Sequence, residues 1–216
     1  MSTNLTGKLL IASPYLTDPH FFRSVVFMVR HDAEGAFGLA VNRPTDTRLR
    51  EVVGSTGLKG EPREDDQVFR GGPVEGPLLA LHDLAGVGEP CGNQDTAGGG
   101  AAETTCTVHH HPHEPWGSMS IELGTPPAWL TADDDHLRIL LHRPDARVRF
   151  VAHYSGWGAG QLEDELRSGG WLVGDADPGV LFGDHEAAWE SAVRRCGHEI
   201  LRLLVPDIAA GDSRRN

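Results

Sequence analysis

The chain has 216 residues, 39% apolar and 23% charged, enough to bury most of its apolar surface in one core and too few to argue for a second full domain. Thirty-one acidic against nineteen basic residues give a formal charge of -12, which opposes phosphate backbones and anionic lipid, so a nucleic-acid role would need a local basic patch. Cys91, Cys106 and Cys196 cannot all pair within the chain and lack Cys-x-x-Cys spacing, no run reaches membrane-spanning length, and residues 1–18 lack a charged-then-apolar signal layout; these features together predict a cytoplasmic protein with reduced thiols.

In chain order, residues 9–12 read as a first short strand. Residues 24–31 read as a second, whose unbroken Val25-Val26-Phe27-Met28-Val29 run implies burial on both faces and a central place in a sheet. Asp32-Ala33-Glu34-Gly35 is a loop of hairpin length, which returns residues 36–42 antiparallel to that strand, and Arg43 before Pro44 should be extended. Thr47 is placed to cap a short helix over residues 48–53. Residues 67–70 are extended, Gly71-Gly72-Pro73 forces a turn, and residues 78–82 read as a strand.

Composition then changes abruptly. Residues 86–115 are rich in Gly, His, Thr and Ala with few large apolar side chains, and read as a loosely held low-complexity insertion in one domain over residues 7–207. Residues 119–123 resume as a strand. Thr131-x-x-Asp134 resembles a capping box opening a helix through Leu141. Residues 147–154 alternate Val148, Phe150, Ala152 and Tyr154 against Arg147, Arg149, Val151 and His153, a strand with one apolar face, and a glycine-rich loop is expected to follow it. Residues 161–167 form a short helix stopped by Gly169-Gly170, and residues 171–173 are extended. A last helix over residues 184–196, capped by Asp184 and closed by Gly197, carries Trp189 and Val193 one turn apart; residues 208–216 read as a frayed tail. Hairpins mixed with helices argue for a mixed sheet rather than a doubly wound parallel one.

Three stretches together resemble the AlgH/YqgE-like family of bacterial proteins. The first is Leu10-Ile11-Ala12-Ser13-Pro14 with Asp18-Pro19 and Phe22-Arg23-Ser24-Val25-Val26, then His31, Gly35-Ala36-Phe37-Gly38-Leu39 and Asn42-Arg43-Pro44. The second is Gly71-Gly72-Pro73-Val74 leading to Leu81-His82, and the third is Tyr154-Ser155-Gly156-Trp157-Gly158-Ala159-Gly160-Gln161-Leu162-Glu163, with Glu165 and Trp171-Leu172 beyond. The match in order and spacing covers residues 7–197 apart from the insertion, and His153 stands where the family tends to have glycine. The resemblance implies a mixed α/β (α+β) fold in which a split, largely antiparallel sheet curls into a partial barrel with flanking helices. It implies no reaction. The family is sometimes labelled a transcriptional regulator, but no recognition helix with base-reading residues is legible here, and the nearest basic cluster, Arg194, Arg195 and Arg202, suits a helix C-terminus.

Three constellations carry candidate chemistry. Gly156, Gly158 and Gly160 precede a helix, where free amides and the helix dipole would hold an anion; Gln161 stands where a dinucleotide fingerprint needs its last Gly, and Glu163, Asp164 and Glu165 already supply negative charge, so a tight turn packed by Trp157 is the competing account. His153, Ser155 and Asp164 have the residue types of a hydrolase triad, but Ser155 lacks the glycine flanks of a nucleophile elbow, and a structural Ser beside a strand His competes. Cys106, His109, His111 and His113 alternate along an extended segment and suit zinc, nickel or copper, against a solvated loop that binds metal only loosely. Asn42, Gly71, Gly72 and His31 fall at strand ends and turns, where they would rim a cleft or serve only as turn residues. The expectation is a non-enzymatic regulatory or binding protein without a cofactor. It would meet a small molecule or a protein at the surface of Asn42, Gly71, Gly72, His153, Ser155, Trp157, Gly158, Gly160 and Gln161. Nucleic acid and membrane are not expected partners. The alternatives are a hydrolase using Ser155 with His153, a hydrolase using metal held by the insertion, and a transcriptional regulator.

Overall fold

The computed structural model describes residues 4–58, 60–62, 66–84, 87, 121–123 and 128–204. Its elements are β1 (Lys8–Ala12), β2 (Val25–Asp32), β3 (Gly35–Ala40), β4 (Pro44–Arg48), α1 (Leu49–Thr56), β5 (Gln67–Arg70), β6 (Val74–His82), β7 (Ile121–Leu123), β8 (Ala128–Thr131), α2 (Asp134–Leu141), β9 (Val148–Gly158), α3 (Gln161–Arg167), β10 (Trp171–Asp175), α4 (Pro178–Phe182) and α5 (His185–Leu204).

The strands form one open, split sheet in the order β10-β1-β2-β3-β9-β6-β8-β7, with β4 on β5 and β5 on β9. Every pairing is antiparallel except β5 with β9, where Val68, Phe69 and Arg70 lie opposite Phe150, Val151 and Ala152. The split falls on β9. Its first half runs between β5 and β6, and its second half, from Ser155 to Gly158, pairs with Gly38 to Gly35 of β3. Between the halves, His153 takes φ 65°, a left-handed conformation that a branched or bulky residue adopts only under constraint.

The alternation of side chains along β1 and β2 feeds two layers. Leu9, Ile11, Val25 and Phe27 pack with Leu39, Leu79, Leu81 and Val151 beneath α4 and α5, through Val180, Leu181, Ala188 and Ala192. Leu10, Ala12, Val26 and Met28 face the other way, onto Trp157, Trp171 and Leu162 of α3. Burial of β2 on both faces thus matches its unbroken apolar run and its place between β1 and β3. A third layer sets Leu49 and Val53 of α1 and Leu137 and Leu140 of α2 against Val68, Ala80 and Phe150, and Val87 joins it. The mixed, largely antiparallel sheet with flanking helices is the architecture implied by the resemblance.

Several sequence expectations need correction. Ser155 to Gly158 is not a loop but the continuation of β9. Residues 44–48 form β4, so the helix begins later, at Leu49, and Arg48 stands at its N-cap with no side-chain bond; Thr47 does not cap it. The cap of α2 is Asp133, whose carboxylate accepts from the amides of Asp135 and His136, because Thr131 still belongs to β8. Strand β6 starts at Val74 rather than Leu78, with a register shift between those residues. Helix α5 continues through Gly197 to Leu204, and α4 and β8 were not anticipated. The tail at 208–216 and nearly all of the insertion, including Cys106, His109, His111 and His113, lie outside the described residues.

Candidate functional site

The predicted ligand surface separates into three places. The first is a backbone knot where the Gly71-Gly72 turn crosses β9. A Cβ on Gly71 would sit 2.3 Å from the His153 carbonyl oxygen, and one on Gly72 would sit 2.3 Å from the Tyr154 carbonyl, so both glycines are required by close approach. The Gly71 amide donates to the Ala152 carbonyl, and the Gly71 carbonyl accepts both the Ala40 amide and the Ser155 hydroxyl, the latter at 2.8 Å. Ser155 is fully buried. Its hydroxyl donates into this knot, which leaves it poorly placed as a nucleophile. Asp164 pairs with Arg167 on the exposed face of α3 instead of orienting His153.

The second place anchors α3. The Glu165 carboxylate accepts the indole N-H of Trp157 at 3.0 Å and that of Trp171 at 2.8 Å through one oxygen, and the Gln161 amide at 3.0 Å through the other. Gln161 in turn accepts the Gly158 amide, and Gly160 caps α3 in the left-handed region at φ 75°. Phe21 closes the cluster by stacking at 6.0 Å on Trp157 and meeting Trp171 edge-on at 5.2 Å. The hydrogen-bonding groups of Trp157, Gly158, Gln161 and Glu165 are therefore occupied by one another. His31, also buried, accepts the Leu5 amide on Nδ1 and meets Glu163 through Nε2 at 3.1 Å.

The third place is open. A cleft of about 330 Å³ runs between the segment before β2, the β3–β4 connection and the first turns of α5, lined by Phe22, Arg23, Asn42, Arg43, His185 and Trp189 among others. That volume is within the range of small-molecule sites. A second hollow of about 180 Å³ adjoins it across Arg43 and Pro44, and His20, Ala40, Arg70 and Gly72 complete its lining. Asn42 fixes the rim by accepting the Val25 amide and donating to the Arg23 carbonyl. Arg43 donates to the carbonyls of Phe22 and Pro19. Arg23 takes φ 54°, and its guanidinium lies 5.0 Å from the Trp189 ring centroid and 5.4 Å from that of Phe22. Such a conformation costs on the order of 1 kcal/mol and tends to be retained where a site requires it. Trp189 is held in turn by donating its indole N-H to the Ala12 carbonyl.

Of the predicted set, Asn42 lines this cleft and Gly72 the adjoining hollow; Arg23, Arg43, Arg70, His185 and Trp189, which line one or the other, were not predicted as site residues. They come from four chain segments, and only the Phe22-Arg23 and Asn42-Arg43-Pro44 motifs marked any of them in the sequence. The basic cluster expected near a helix C-terminus instead has Arg194 and Arg195 in the middle of α5, with Arg194 paired to Glu190 and Arg195 to Asp177, whose carboxyl is held below its ordinary range by that arginine. Among the described residues, no three His, Cys, Asp or Glu side chains gather as a metal site, and no helix is long and apolar enough to cross a membrane.

Two buried ionisable groups lie away from the cleft. Arg149 is 5% exposed, donating to the carbonyls of Leu181, Val41 and Gly183 and stacking 4.2 Å from the Phe69 centroid; burial lowers its pKa to about 10, so it stays charged at neutral pH. His82 is fully buried and stacked on Trp129; burial lowers its pKa to about 4, against smaller opposing effects of the Leu84 backbone and Asp83.

A family model described as AlgH-like matches residues 9–201. A UPF0301 protein of Streptomyces avermitilis is 35% identical over 208 residues, covering 95% of this chain and 94% of its own length. A UPF0301 protein of Xanthomonas euvesicatoria is 35% identical over 207 residues, covering 94% and 95%. The solution structure of the AlgH protein from Pseudomonas aeruginosa is similar with a TM-score of 0.60 and 26% identity, over 100% of this chain and 98% of that one. The crystal structure of protein DIP2367 from Corynebacterium diphtheriae shares the fold at a TM-score of 0.58 and 19% identity, over 90% and 88%.

Proposed function

The chain belongs to the AlgH-like family, and on that premise we propose that it is a non-enzymatic binding or regulatory protein that meets a small molecule or a protein at the Arg23–Asn42–Arg43–Trp189 cleft. The observation that carries this reading is Arg23. It holds a left-handed backbone and lies between two aromatic rings at the rim of an open cleft, an arrangement that local chain geometry does not favour. The hydrolase alternative draws no comparable support, because the Ser155 hydroxyl is buried and donated to the Gly71 carbonyl.

Thermal unfolding against a metabolite library tests the proposal. A ligand that prefers the folded protein, present at a hundred times its Kd, adds about 2.7 kcal/mol and raises the midpoint visibly. The same ligand should lose its effect on Trp189→Ala, which removes one wall of the cleft. If no compound moves the midpoint and affinity capture returns no partner, the proposal loses its basis.

A further inference from the structure

Resting on the cleft as the binding site, we propose that its second hollow is a phosphoryl-anion subsite built from Arg43, Arg70, His20 and the Gly72 peptide. The hollow is lined by His20, Ala40, Arg43, Pro44, Arg70 and Gly72, so its lining includes two arginines and a histidine and no acidic residue. In a chain of formal charge -12 such a grouping is unexpected by composition. Exposed arginines elsewhere, such as Arg138, Arg143 and Arg147, pair with neighbouring aspartates. Neither Arg43 nor Arg70 forms an ion pair with a described carboxylate. Asp18, the acid nearest His20 in sequence, has one carboxylate oxygen accepting the His20 amide.

Arg43 is preorganised for this role. Two of its five N-H groups are fixed on the Phe22 and Pro19 carbonyls, which orients the half-buried guanidinium and leaves three donors for a ligand. Arg70 extends from the end of β5 beside it, since its amide donates to the Arg43 carbonyl. The floor is backbone, because any side chain on Gly72 would collide with Tyr154. Two arginines beside a backbone floor suit a tetrahedral oxyanion better than a planar apolar group. The shared chemistry is a phosphate, free or as the monoester of a small alcohol whose remainder extends into the adjoining cleft.

The test is an amide and arginine Nε-H chemical-shift titration of the full chain with inorganic phosphate and, separately, glycerol 3-phosphate, with sodium chloride at matched ionic strength as reference. The proposal predicts saturable shifts at Gly72, Arg43 and Arg70 with either phosphate and not with chloride. It also predicts affinity about ten-fold weaker in Arg70→Ala, a substitution at an exposed strand end that leaves the remaining spectrum in place. Tighter binding of glycerol 3-phosphate would identify an ester as the ligand class, and equal binding would identify phosphate itself. Shifts that track ionic strength alone, or that survive unchanged in Arg70→Ala, would overturn the subsite. In that event, shifts around Trp189 and Asn42 with uncharged metabolites would still uphold the cleft, so the two failures are distinguishable.

Discussion

Arg149 shows how much one side chain can organise. Its guanidinium ties β9 to the carbonyls of Val41, Leu181 and Gly183, three points brought together only by folding. Arg149→Ala leaves three acceptors without their donor and should lower stability by at least ~3 kcal/mol in urea unfolding, and Arg149→Lys should recover little, because an ammonium cannot span the fork. A loss below about 1 kcal/mol would contradict this role. Alternation had placed Arg149 opposite the apolar face of its strand; the structure buries it because both faces of β9 are covered, which local pattern does not reveal.

His82 yields a prediction in pH. Above its ordinary value of 6.5 the ring is neutral folded or unfolded, and it contributes no pH dependence. Below 6.5 the unfolded chain takes up a proton that the folded protein refuses until about pH 4. Stability is therefore lost as pH falls through that window, at about 1.4 kcal/mol per unit. His82→Phe should blunt the fall, so that the variant gains about 2 kcal/mol on the wild type between pH 7 and pH 5. Parallel losses in the two proteins would remove His82 as the cause.

Among the elements, α3 depends on one carboxylate. It is a seven-residue helix whose N-cap Gly160 offers no side chain, so its docking rests on Leu162 and on Glu165 with its three donors. Glu165→Gln replaces an acceptor of two indole N-H groups by an amide that presents its own donors, and should cost about 2 kcal/mol and shift tryptophan emission to the red. An unchanged spectrum would show that the cluster holds without the charge. The same region marks the limit of sequence reading. Helix α3 was legible to the residue, as was β5, because periodicity and Gly stops agree there. The second half of β9 was not, since Ser155-Gly156-Trp157-Gly158 has the composition of a loop and becomes strand only by pairing with Gly35 to Gly38, more than a hundred residues earlier. The cap of α2 shifted for a related reason, β8 having claimed Thr131.

For the whole molecule, β9 is the shared member. It pairs with β3, β5 and β6 and contributes Val151 to one apolar layer, Trp157 to a second and Phe150 to a third. Layers joined through one strand should unfold together, so far-ultraviolet dichroism and tryptophan emission are expected to give coincident urea transitions. Separate midpoints would show the halves of the split sheet to be independent. The cleft is also a property of the whole: Arg23, Arg43, Arg70 and Trp189 meet only because the open sheet brings the ends of β3 and β5 beneath the start of α5. The strand end at Asn42 and the turn at Gly72 were legible because such positions announce themselves in sequence; the arginines of the proposed cleft were not singled out, because nothing local separates a cleft arginine from any other solvated one.

Hydrogen–deuterium exchange of the protein with and without the small-molecule fraction of a cell extract tests the proposed binding site most directly. Protection confined to peptides spanning residues 18–24, 40–46, 70–73 and 184–190 is the predicted result. Protection centred on residues 155–161 with those four segments unchanged would contradict it.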